Sequence, residues 1–99
     1  MAEHRFRSQA EADLEDIWQY TAKNWSLAQA ERYVDALLGE MEGLAEAPRS
    51  GRPADHIRPG LLQHPVRAHI VFYRVTDYGI EVVRILHQSM DLPARLRDE

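Results

Sequence analysis

His69-Ile-Val-Phe-Tyr-Arg-Val-Thr76 and Ile80-Glu-Val-Val-Arg-Ile-Leu-His87 are two β-branched and aromatic runs joined by Asp77-Tyr78-Gly79. That composition, split by a triplet ending in glycine, predicts a β-hairpin with Gly79 at a left-handed position. Strict alternation sorts the hairpin into faces. Val71, Tyr73, Val75, Val83 and Ile85 are expected to face the core. Ile70, Phe72, Val82 and Leu86 then share the other face with Arg74 and Arg84. An apolar face bordered by arginine is better matched to a partner than to bare solvent, unless the chain's own C-terminal segment folds back over it.

Upstream, Ser8-Gln-Ala-Glu11 and Ser26-Leu-Ala-Gln29 each have the pattern of a capping box, in which a serine oxygen takes a free amide at a helix start. Behind the first, Ala10, Leu14, Ile17, Trp18, Thr21 and Trp25 recur at helical spacing. Behind the second come Ala30, Val34, Leu37, Met41 and Leu44. The helices are expected to end near Asn24 and near Ala47, where Pro48 blocks continuation. Glu3 to Arg7 alternates and reads as a first strand with Phe6 inward. Residues 48–60 hold three prolines and two glycines and read as a loop. A weak strand follows around Leu61 to Gln63. The fold class expected is therefore α+β, a helical hairpin packed on one face of a small antiparallel sheet, in the order β-α-α-β-β-β.

The 99 residues are expected to form one domain. The absence of cysteine excludes disulfides, thiolate catalysis and cysteine zinc sites. No apolar run approaches the roughly 20 residues that span a bilayer, and the N-terminus lacks a secretory core, so a cytoplasmic location is expected. Net charge is −4, unevenly placed: residues 1–47 carry ten Asp/Glu and four Lys/Arg, residues 48–99 eight Arg and six Asp/Glu. That is not the strongly basic footprint of a general nucleic-acid binder.

Little here carries covalent chemistry. No serine stands in a G-x-S-x-G context. His56, His64, His69 and His87 lie in the sheet half without metal-ligand spacing, so no metal and no cofactor are expected. His87, at the end of the last strand, is the best single candidate for acid–base work, with Arg67, Arg74 and Arg84 to hold a phosphodiester. No second acid–base residue is evident beside it, so the favoured reading pairs these arginines with Glu81, Asp77 or a partner's carboxylates and has His87 satisfy a local backbone group.

Taken in order, Ala12-Asp13-Leu14-Glu15-Asp16-Ile17-Trp18-Gln19-Tyr20-Thr21, Trp25 with Gln29-Ala30 and Tyr33, Pro48-Arg49-Ser50-Gly51-Arg52, His69-Ile70-Val71-Phe72-Tyr73-Arg74-Val75 and Arg84-Ile85-Leu86-His87-Gln88-Ser89-Met90 resemble the ParE toxins of the RelE/ParE toxin–antitoxin superfamily. The resemblance runs over nearly the whole chain. It implies a RelE/ParE-like fold and a bacterial toxin that inhibits DNA gyrase by binding, without being an enzyme. It implies neutralisation by a ParD-like antitoxin that dimerises, wraps the toxin and carries the complex to operator DNA. Antitoxin contacts are expected at Arg58, Arg67, Ile70, Phe72, Arg74, Val82, Arg84 and Leu86. Target contacts are expected in the tail at Met90, Leu92, Arg95 and Leu96. The RelE/YoeB branch, which cleaves mRNA on the ribosome, supplies the rival reading. This chain departs from that branch: Ile70 stands where it tends to carry arginine, Gln88 follows His87 in place of tyrosine, and Lys23 is the only lysine.

Overall fold

A computed structural model describes residues 2–97; Met1, Asp98 and Glu99, the ends of the expected 1–99 unit, lie outside the described residues. Strand β1 (Glu3–Phe6) leads into helices α1 (Ser8–Asn24) and α2 (Leu27–Glu46). A 3-10 turn at Pro48–Ser50 precedes β2 (Arg52–Pro53), β3 (Leu62–Val66), β4 (His69–Val75), β5 (Gly79–His87) and a short α3 (Leu92–Arg97). The described strands form one sheet in the order β1-β5-β4-β3-β2. It is mixed rather than antiparallel, because β1 runs parallel to β5, with Glu3 opposite Gly79 and Phe6 opposite Val82. Gly79 has φ +141°, and a side chain there would strike the backbone of Glu3, so this position serves both the turn and the β1 contact.

The two helix starts differ. Ser26 caps α2, its oxygen accepting the Gln29 amide at 3.0 Å. Ser8 does not cap α1. Arg7 N–H still donates to Val82 O, at 3.0 Å, so the chain leaves the sheet there and Arg7 becomes the residue flanking the helix, with no side-chain cap. Trp25, read from its spacing as a core residue, closes α1 and is 75% exposed.

The face assignment of β5 also changes. Phe72 pairs with Arg84 but Tyr73 pairs with Val82, so Val83 is an extra residue in the ladder. Such a bulge shifts the alternation by one. Val82 therefore joins Ile80, Ile85, Val71 and Tyr73 against α1 and α2, packed on Ile17, Leu37, Met41 and Leu44. Val83 is sent to the opposite face, and Val75 is only half-buried. That opposite face is not open. Phe72, Val83 and Leu86 are covered by Ala54 and Leu61 from the loop and by Leu96 from α3, with Ile57, Ile70 and Leu92 around them. A two-sided sheet with a layer on each face is the result, each large buried side chain contributing roughly 1.5–3 kcal/mol. Among the described residues, no helix is long and apolar enough to cross a membrane.

Candidate functional site

His69 opens β4 and His87 closes β5, and the two stand opposite each other in the ladder. Their rings meet edge to face with centroids 5.2 Å apart. Tyr33, from α2, places its hydroxyl 2.6 Å from His69 Nδ1. Burial pushes the Tyr33 hydroxyl up from its ordinary 10.0, so it stays protonated at neutral pH. His87 Nδ1 accepts the Ser89 amide at 3.1 Å and lies 2.7 Å from Ser89 Oγ. An amide aimed at Nδ1 places the proton of a neutral imidazole on Nε2. Burial lowers the His69 pKa below 6.5, helped by the adjacent His87 and opposed by Asp13. His69 is thus mostly neutral at pH 7. The pair opens into a cleft of about 490 Å³ walled by Ile17, Tyr20 and Thr21 of α1, with Asp16, Ser89 and Met90.

Arg84 does not reach into this cleft as a spare cation. Its Nε lies 2.7 Å from Asp13 Oδ2 and a terminal nitrogen 2.9 Å from Oδ1, a two-pronged ion pair between side chains 14% and 13% exposed. Asp13 Oδ2 also accepts the Ile85 amide at 2.9 Å. β1 stops opposite Val82, and Asp13 takes over the edge of β5 beyond it. Arg67 sits at φ +55° in the turn between β3 and β4, its guanidinium 5.7 Å from the centre of the Tyr33 ring.

Of the nuclease residues read from sequence, the fold brings Arg67 and His87 to the same end of the sheet through Tyr33 and His69, and ties Arg84 to α1. No acid–base partner for His87 is evident from the chain's local pattern; His69 is that neighbour, eighteen residues away in the chain but directly across the ladder. Placing both histidines at matching ends of one hairpin was the available signal. Tyr33 gave none, since it belongs to another element.

The residues expected to meet an antitoxin divide. Phe72 and Leu86 are buried under α3 and the loop, and Val82 lies under the helices. Arg67 is exposed, and Arg58, Ile70 and Arg74 are half-buried. Arg58 donates to Leu96 O at 3.3 Å and Arg74 to Pro59 O at 2.8 Å. In the tail, Met90 and Arg95 are exposed, whereas Leu96 is fully buried and Leu92 packs beside it. No group of three or more metal-ligating side chains forms among the described residues.

Residues 5–92 match the family model described as ParE toxin of type II toxin-antitoxin system, parDE. The chain is 40% identical over 96 residues to Toxin ParE1 of Caulobacter vibrioides, covering 97% of this chain and 99% of that one. It is 46% identical over 88 residues to Toxin ParE1 of Mycobacterium tuberculosis, covering 88% and 90%. In fold it is similar to a chain of the structure titled "Chromosomal ParDE TA system from P. aeruginosa", with TM-score 0.75, 21% identity and coverage of 88% and 96%.

Proposed function

The chain belongs to the ParE toxins of type II toxin–antitoxin systems, and on that premise we propose that it is a non-enzymatic toxin that binds and inhibits DNA gyrase in the cytoplasm and is held inactive by a ParD-like antitoxin. Family membership over almost the entire chain supports this reading most. The Asp13–Arg84 pair adds to it: a positive charge that phosphodiester cleavage would need is already spent on a carboxylate of α1. In this reading the antitoxin lays amphipathic segments along the helical hairpin and over Arg58, Arg67, Ile70 and Arg74. Operator DNA is reached only through the antitoxin. Met90 and Arg95 are the exposed tail residues offered to the target.

A second reading, ribosome-dependent mRNA cleavage, has one specific observation in its favour: His87 has an imidazole neighbour and a tyrosine behind it, which together give proton-transfer capacity. A supercoiling assay with purified protein and gyrase, with and without the product of the adjoining gene, tests the first. The expected result is inhibition relieved by that product. Intact supercoiling, with message cleavage on translating ribosomes that His87→Ala abolishes, would transfer the assignment to the second.

A further inference from the structure

His69 and His87 each engage one ring nitrogen inside the molecule, His69 Nδ1 with the Tyr33 hydroxyl and His87 Nδ1 with the Ser89 amide. Neither Nε2 meets a partner among the described residues. An amide at Nδ1 leaves His87 Nε2 as an N–H donor. The cleft onto which both rings open is walled by Ile17, Tyr20, Met90 and Thr21, whose hydroxyl is turned back to Ile17 O at 2.7 Å. Tyr20 is 66% exposed and Met90 39%, so two of the four large apolar side chains left exposed among the described residues stand at this one opening. A third, Trp25, follows Thr21 by one helical turn, its N–H donating to Thr21 O at 2.9 Å. Exposed aromatic rings and a thioether around a hollow with a fixed donor have the make-up of a protein-binding hot spot.

Topology and charge narrow the occupant. The chain's own α3 is committed to the far face of the sheet, where Leu96 is buried. Besides the imidazoles, Asp16 is the one charged side chain lining the cleft, and it makes no ion pair among the described residues. A phosphate backbone would meet that carboxylate head on. A second copy docked about a two-fold axis would bring two Asp16 carboxylates together. A protein segment with a cation beside an apolar ring satisfies the whole lining. We propose that this cleft is where the toxin holds its target, taking an aromatic side chain of gyrase between Tyr20 and Met90, with a lysine or arginine of the same segment against Asp16 and a carbonyl on His87 Nε2–H. Ring-edge and sulfur contacts favour an aromatic guest over an aliphatic one. The identity of the partner rests on the gyrase reading above.

The test measures supercoiling inhibition and affinity for purified gyrase, with affinity for the product of the adjoining gene as a second readout on the same proteins. Tyr20→Ala and Asp16→Lys alter exposed positions and should melt like the parent. Tyr20→Ala is expected to raise the toxin concentration for half-inhibition by about tenfold or more. Asp16→Lys should raise it by about threefold or more. Tyr20→Phe keeps the ring and should inhibit like the parent. His87→Phe keeps a ring without the donor and should weaken inhibition by about fivefold. Affinity for the adjoining gene's product should remain that of the parent. Unchanged gyrase affinity in Tyr20→Ala and Asp16→Lys would remove the cleft as the docking site while leaving the gyrase reading intact. Loss of antitoxin affinity in the same two variants would give the cleft to the antitoxin, and loss of a parent dimer would give it to a second copy; either result overturns the proposal. A parent chain without effect on gyrase would remove both the docking and the reading it rests on.

Discussion

The Tyr73 hydroxyl accepts the Gly51 amide at 3.0 Å and donates to the Pro48 carbonyl at 2.7 Å. The fully buried ring thereby fastens the connection after α2 to the centre of the sheet. Burial raises the Tyr73 pKa above 10.0, so the hydroxyl keeps its proton for Pro48. A Cβ at Gly51 would collide with that hydroxyl, so glycine is needed for space; its φ of −74° is open to any residue. Tyr73→Phe is expected to cost about 1–3 kcal/mol, because two polar backbone groups lose their partner. Gly51→Ala should cost a similar amount through overpacking, roughly 1–3 kcal/mol. Urea melts of the two singles and the double test this: in the Tyr73→Phe background the Gly51→Ala penalty should shrink, since the clashing oxygen is gone.

Asp13 carries more than its place near a helix N-terminus implies. It pairs Arg84 with two contacts and also closes the Ile85 amide. Asp13→Asn keeps the size but removes the charge, leaving a largely buried guanidinium uncompensated. A loss of about 3 kcal/mol is expected. Arg84→Met removes the cation and leaves the Asp13 carboxylate without its counter-charge, so a comparable loss of about 3 kcal/mol is expected. Asp13→Ala also strips the Ile85 amide of its acceptor and should cost more than either; a loss equal to that of Asp13→Asn would mean that the ion pair alone, and not the strand edge, sets the role of Asp13.

Ser26, which caps α2, and Ser8, which does not cap α1, make a matched comparison. Ser26→Ala removes an oxygen that accepts Gln29 N–H and should cost about 1 kcal/mol. Ser8 sits inside the first turn of α1 with Arg7 as the flanking residue. Ser8→Ala should therefore change stability by no more than about 0.5 kcal/mol. Thermal melts of both variants under one condition decide it.

Those two serines also mark what a sequence reading can reach. Local patterns located both helices, the hairpin around Gly79 and the strand at Glu3 to Phe6, because periodicity and turn chemistry are properties of neighbouring residues. The pattern at Ser8 misled because a long-range bond, Arg7 to Val82, fixed where the helix begins. Alternation on β5 failed at Val83 for a related reason: a bulge is a property of the pairing, and nothing in Val82-Val83 announces it. The covered face of Phe72 and Leu86 needed the position of α3, a six-residue helix that no periodic stretch declares. At the site, His87 was legible as a strand-end histidine. Its neighbours Tyr33 and His69 became visible only once three elements were packed together.

His69 gives the fold a pH dependence whose sign can be worked out. Its folded pKa is lowered below 6.5 by burial and by His87, while Tyr33 and Asp13 stand on its helical side. In the unfolded chain the same ring takes up a proton near 6.5, so below that point the unfolded state binds more protons. Stability from this group is complete above 6.5, falls as pH drops toward the folded pKa, and levels off beneath it. His69→Gln should flatten that part of the curve in urea titrations run across the interval. A variant as steep as the parent would assign the slope to other groups.

α3 presents the last case, a helix too short to persist by itself. It is held by fully buried Leu96, by Leu92, and by two arginines reaching its carbonyls: Arg58 to Leu96 O at 3.3 Å and Arg84 to Arg95 O at 3.4 Å. Leu96→Ala deletes the anchor. For a core leucine the loss is about 2–5 kcal/mol when the rest of the structure cannot adjust. Here α3 has an alternative, since it can leave the sheet while the helix-side core of Ile17, Leu37 and Met41 stays packed. The expected outcome is a global loss near the low end, about 2 kcal/mol, with faster hydrogen exchange in residues 92–97 and new binding of a hydrophobic dye to exposed Phe72, Val83 and Leu86. A loss at the high end without dye binding would show that the terminal helix and the two-helix layer unfold as one unit, and the far face would then count as core.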